Sequence, residues 1–216
     1  MRGPAFLLAA LFAVACGPLS EQQPIIGAAT GIVDEPEANA AQALDPRRSL
    51  TREIIEATPN ELMLLAVVAR DNAATAQPAG RNGDRETWVT LDGVGFVFQN
   101  GIVVATRGLG DDLMGGDSRS LYAALLAGGG AVTREIDLLD SQDAIIRQRL
   151  SCRVEPQGAE VLTIFEDTHY TQKLQETCEF QGVERKSQFW IDAAGTIWQA
   201  RQWISPGVGH LDYQRL

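Results

Sequence analysis

The chain has 216 residues, a formal net charge of -10 and 45% hydrophobic residues. That length holds about one domain, and the apolar content is enough for a real core. The acidic balance argues against nucleic acid as a partner, because phosphates need a basic face, and against electrostatic docking on anionic lipid.

Arg2 gives a positive start, and Phe6-Leu7-Leu8-Ala9-Ala10-Leu11-Phe12-Ala13-Val14-Ala15 is an unbroken apolar run. As a helix, ten residues rise only about 15 Å, half a hydrocarbon core, so the run has the size of a signal-peptide core and not of a membrane span. Small residues then lead into a cysteine, Ala13-Val14-Ala15-Cys16-Gly17. This resembles the lipobox of bacterial lipoproteins, with Ala13 where leucine is usual, and implies cleavage before Cys16 and acylation of its thiol. The alternative is a plain secretory signal with Cys16 incidental. Two or more acyl chains would make the attachment stable. Gly17, in place of an acidic residue, resembles the sorting signal for the outer membrane. Residues 17–46 are rich in Pro, Ala, Gly, Glu and Gln, too poor in large apolar groups to offset ordering entropy, and read as a tether. The expected organisation is a signal peptide over residues 1–15, a lipidated N-terminus and tether over 16–46, and one domain over 47–216, facing the periplasm.

In that domain, Ser49 or Thr51 caps a short helix over residues 52–57, which Pro59 stops. Residues 62–68 form an apolar run of strand length. Strands are expected at residues 86–91, 94–99 and 102–106, separated by Asp92-Gly93 and Asn100-Gly101, strong hairpin signals. A helix is expected over residues 119–126, ended by Gly128-Gly129-Gly130. Residues 144–154 read as a strand turned by Glu155-Pro156-Gln157-Gly158 into a strand at 159–165, followed by strands at 168–180, 184–192 and 196–204. The last two form a hairpin through Ala193-Ala194-Gly195, with Trp190 opposite Trp198 on one face and Phe189, Ile191, Ile197 and Trp203 on the other. The fold class is therefore mainly β: a single antiparallel domain with one or two short helices.

Export would place Cys152 and Cys178 in an oxidising compartment, where a pair closes as a disulfide; the alternative is two buried thiols. Thr106-Arg107-Gly108-Leu109-Gly110-Asp111-Asp112-Leu113-Met114 contains a Gly-x-Gly after a strand, but Leu113 stands at the third glycine position and two aspartates would face a pyrophosphate. A nucleotide is not expected there. The plainer reading is a glycine turn opening a short helix, with Asp111 and Asp112 in its first turn. Asp111, Asp112 and Asp117 match no EF-hand spacing, and His169 and His210 stand far apart, so neither metal nor cofactor is expected. There is no Gly-x-Ser-x-Gly, and no local pattern singles out a pair of carboxylates for glycoside chemistry. Trp88, Trp190 and Trp198, with Arg107, Asp111 and Asp112, are the candidate contacts for a glycan or protein partner. A tryptophan offers a flat apolar face with an N–H handle, though packing in a core is its commoner use.

Trp88-x-Thr90-x-Asp92-Gly93, the stretch from Asn100 to Met114, Ser49-Leu50-Thr51-Arg52, Glu176-Thr177-Cys178, Phe189-Trp190-Ile191-Asp192 and the stretch from Gly195 to Pro206 together resemble the YjbF/GfcB family of group 4 capsule lipoproteins. Ala200 departs from the serine expected there. The resemblance runs from about Ser49 to the end. It implies a barrel-like β sandwich on an outer-membrane lipoprotein that serves capsule or exopolysaccharide secretion, its partners being secretion proteins or the glycan. It implies no catalytic residues. The competing expectation is a periplasmic polysaccharide-modifying enzyme or a glycan-binding protein.

Overall fold

The computed structural model describes residues 45–216; the signal segment, Cys16 and the tether up to residue 44 lie outside the described residues. Twelve antiparallel strands make one sheet: β1 (Met63–Val67), β2 (Asn72–Asn82), β3 (Arg85–Thr90), β4 (Gly95–Gln99), β5 (Ile102–Arg107), β6 (Gly115–Gly116), β7 (Gly130–Leu139), β8 (Ile145–Ile164), β9 (Asp167–Phe180), β10 (Val183–Ile191), β11 (Ile197–Ser205) and β12 (Gly209–Arg215). The order is β5-β4-β3-β2-β1-β12-β11-β10-β9-β8-β7-β6, two meanders joined where the first strand pairs with the last. The free edges curl towards each other. Thr106 N–H donates to Leu113 O at 2.8 Å, and a Cβ on Gly116 would stand 3.5 Å from Val104 O, so the sheet is a nearly closed barrel. Closure of this kind removes most of the exposed edge that invites wrong pairing.

Three α-helices occur among the described residues: α1 (Pro46–Ser49), α2 (Arg52–Ala57) and α3 (Arg119–Leu126). Thr51 caps α2 as expected, accepting from Ile54 N–H at 3.4 Å. The additional α1 starts at Asp45, whose carboxylate accepts from Arg47 N–H.

Several expectations need correction. The turn at Glu155–Gly158 does not form: β8 runs straight through, and a bulge between Pro156 and Gly158 absorbs the proline's missing N–H. The chain reverses instead at Phe165-Glu166, where both residues have positive φ and Ile164 pairs with Asp167. β2, β7 and β12 have no counterpart among the expected strands. β2 is largely exposed and carries Pro78, so its alternation is weak; β7 buries Val132, Ile136 and Leu138, but Arg134 breaks the apolar period. The helix after Gly110 is absent. Asp112 instead accepts from the Thr106 hydroxyl and from the N–H groups of Gly108 and Leu109, holding the segment as a loop. Trp190 lies opposite Gln199, not Trp198, because the register shifts beside it.

The main core includes Trp88, Phe98, Phe189, Ile191, Ile197 and Trp203, and the Cys152–Cys178 disulfide lies within it, joining residues paired directly across β8 and β9. Gln202 crosses the interior: it accepts from Val103 N–H at 3.0 Å and donates to Val103 O at 2.7 Å, completing a backbone unit beside the bulge between β4 and β5. Arg134 and Glu176, both buried, pair at 3.1 Å. Burial pushes the Glu176 carboxyl up, with the Arg134 charge pulling the other way.

Candidate functional site

A groove of about 460 Å³ lies on the outer face of the sheet over β10, β11, β12 and β1. Its floor is two adjacent cross-strand rows. One reads Gln188–Arg201–Asp212–Ala66, the other Trp190–Gln199–Gln214–Leu64. Strand alternation explains the arrangement: Ser187, Phe189, Ala200, Leu211 and Tyr213 turn into the barrel, so their neighbours turn out. The walls are Arg47 from α1 and Phe165 from the β8–β9 turn. Arg47 is held by Asp45 and Asp71, and Arg52 of α2 donates to the carbonyls of Phe165 and Ile164 at 2.7 and 3.1 Å. The segment that leads into the barrel is thus pinned at two turns on either side of the groove.

The floor is polar and internally paired. Arg201 donates two parallel bonds of 2.7 and 2.6 Å to Asp212, and these bonds to the carboxylate raise the guanidinium's affinity for its proton. Gln214 donates to Gln199 at 2.6 Å. Trp190 is 6% exposed, with Lys173 Nζ 4.6 Å above its ring; its indole N–H is buried and meets no acceptor among the described residues.

Of the tryptophans singled out in the sequence, Trp88 is in the core at 1% exposure and presents no surface. Trp190 lines the groove, while Trp198, half-buried, joins it in a small cluster with Leu162, Ile164 and Phe165 on the hairpin tip. Trp198 stacks on His169 at 3.7 Å and donates to Asp192 at 2.8 Å. Burial pushes the Asp192 carboxyl up, but that indole N–H and the N–H groups of Thr196, Ala194 and Gly195 outweigh it, leaving the group below the usual carboxylate range. Arg107 lies elsewhere, at the end of β5, with Asp111 and Asp112 on the loop that follows it. The Arg107 guanidinium donates to the carbonyls of Leu113 and Met114, and Asp111 accepts from Gly207 N–H. These side chains shape a loop; none of them lines the groove. His210 Nε2 donates to Lys186 O at 2.8 Å. Gln188, Gln199, Arg201, Asp212 and Gln214 were not singled out in the sequence. Outward polar residues on strands look ordinary until register sets them side by side.

Together these features define a meander-built, nearly closed antiparallel barrel with a polar groove on its outer face. The hypothetical lipoprotein YmcC from Escherichia coli K12, known from a crystal structure, has a similar fold: TM-score 0.68 at 21% identity, covering 85% of this chain and 96% of that one. No curated protein matches the chain significantly in sequence. Residues 28–216 match the family described as group 4 capsule polysaccharide lipoprotein gfcB, YjbF, and the chain belongs to that family.

Proposed function

We propose that the protein is an outer-membrane lipoprotein, anchored through acylated Cys16, whose periplasm-facing barrel is a non-enzymatic accessory in capsule or exopolysaccharide production or secretion. Family membership over residues 28–216 carries this reading. The lipobox-like Ala13-Val14-Ala15-Cys16 and the following Gly17 support the anchor and its membrane. Two features favour an accessory over an enzyme. A general acid needs a raised pKa on a group the substrate can reach, and the carboxyl raised by burial, Glu176, is sealed in the core against Arg134. The groove's own carboxylate, Asp212, has both oxygens committed to Arg201. Its partners are the proteins of polysaccharide secretion or the glycan itself.

The test is deletion of the gene with quantification of surface polysaccharide, complemented by wild type and by Cys16→Ser. Loss of polysaccharide is expected, with rescue by wild type and poor rescue by the variant, which should leave the outer-membrane fraction. Unchanged polysaccharide in the deletion strain would overturn the role, and recovery of wild type in the inner-membrane fraction would overturn the placement.

A further inference from the structure

We infer that the groove over β10, β11, β12 and β1 is a binding site for a short, uncharged segment of a saccharide chain; this deepens the polysaccharide reading above and rests on it. A volume of about 460 Å³ falls within the range of small-ligand sites. The two rows cross four strands, so the floor is roughly 14 Å wide at the usual strand spacing. A short run of rings fits such a floor better than a single ring fills it.

The side chains select the chemistry. Each sugar hydroxyl both donates and accepts, and so does each carboxamide. Gln188, Gln199 and Gln214 place three carboxamides on two adjacent rows, next to the Arg201–Asp212 fork. Gln199 and Gln214 already hold each other at 2.6 Å, which limits the freedom they lose on meeting a ligand. Trp190 adds an indole N–H that no described group satisfies, at the end of one row. Such a buried donor is costly to leave unpaired, and a hydroxyl reaching it would relieve that cost.

Charge and topology disfavour other ligands. Arg201 is neutralised by Asp212, and Arg47 on the wall by Asp45 and Asp71. An anionic ligand would have to displace a carboxylate from one of these pairs and face it at close range. An extended peptide would seek an open strand edge, but β10, β11, β12 and β1 are each paired on both sides.

The test uses the full-length lipidated protein in detergent. The probes are oligosaccharides prepared by partial acid hydrolysis of the host's own surface polysaccharide and separated into neutral and uronic-acid-containing pools. Binding is followed by calorimetry and by tryptophan fluorescence. Neutral fragments should bind, and both Gln199→Ala/Gln214→Ala and the single variant Gln188→Ala should weaken them at least tenfold with the unfolding temperature unchanged. Equal binding by these folded variants would overturn the site, and preference for the acidic pool would overturn its chemistry. Absence of fragment binding, alongside polysaccharide loss in the deletion strain, would refute the groove while leaving the accessory role standing. Groove-dependent binding with intact polysaccharide in the deletion strain would do the reverse.

Discussion

Reduction of the Cys152–Cys178 disulfide should destabilise the barrel by an amount that loop closure predicts. The bond spans 26 residues of sequence. Those residues include the outer part of the β8–β9 hairpin and the turn at Phe165-Glu166. In the chain-entropy relation a loop of that size removes about 12 cal/mol/K from the unfolded state, or about 3.5 kcal/mol at room temperature. Reduction is a cleaner perturbation than substitution here. Both side chains are buried in the main core, so Cys→Ala at both positions would add a cavity cost. For a domain of this size each kcal/mol moves the unfolding temperature by about 2–4 °C, so reduction should lower it by about 7–14 °C. Differential scanning calorimetry of oxidised and reduced protein, with thiols counted by mass spectrometry, measures the shift. A fall below about 3 °C with both thiols free would refute the loop-closure reasoning. A protein exported normally yet carrying two free thiols would refute the pairing itself.

Glu176, raised by burial, retains a proton in the folded state at pH values where the unfolded chain has released it. Its contribution to stability is therefore full below the ordinary carboxylate range and is lost as pH rises through the raised value. Glu176→Gln should flatten that fall in urea titrations across the pH range; parallel curves for variant and wild type would contradict it. Gln202→Leu strands Val103 N–H and C=O inside the barrel and should cost about 2–5 kcal/mol by denaturant unfolding, whereas an unchanged midpoint would show the bridge to be dispensable. Asp112→Ala removes the acceptor for Thr106, Gly108 and Leu109, so a loss of about 1–2 kcal/mol is expected. Faster hydrogen exchange at the Gly108 and Leu109 amides should accompany it, and unaltered protection there would place the loop's order elsewhere.

What could be read without the fold was local or compositional. Thr51 before Arg52, Asn100-Gly101 between apolar runs, and Gly195 closing a three-residue loop each act over a few residues, and each element appears near its expected place. The four apolar residues Phe189, Ile191, Ile197 and Trp203 all join the core, although the register shift beside Trp190 breaks the alternation along β11 and turns Ala200 and Gln202 inward. The failures have physical causes as well. β7 hid because Arg134 occupies a core position, tolerable only because Glu176 from β9 meets it there. The proline in β8 looked like a turn because a bulge that accommodates it is defined only by the partner strand, as the pairing of Pro156 with Leu174 and the shift after it show.

The amino-acid sequence alone determined the class of the molecule: a lipobox-like cysteine, a mainly β domain, a cysteine pair and a family resemblance, all carried by short-range patterns or by strings of residues. The groove was decided by tertiary structure. Its rows draw Gln188, Arg201 and Asp212 from three strands, and the residues become neighbours only through antiparallel register. Register is set by which faces are buried and where bulges fall, as the shift beside Trp190 shows when it places Gln199, not Trp198, opposite that ring. A single-residue slip would send those side chains into the barrel and bring core residues out, so no property of the separate strands contains the site.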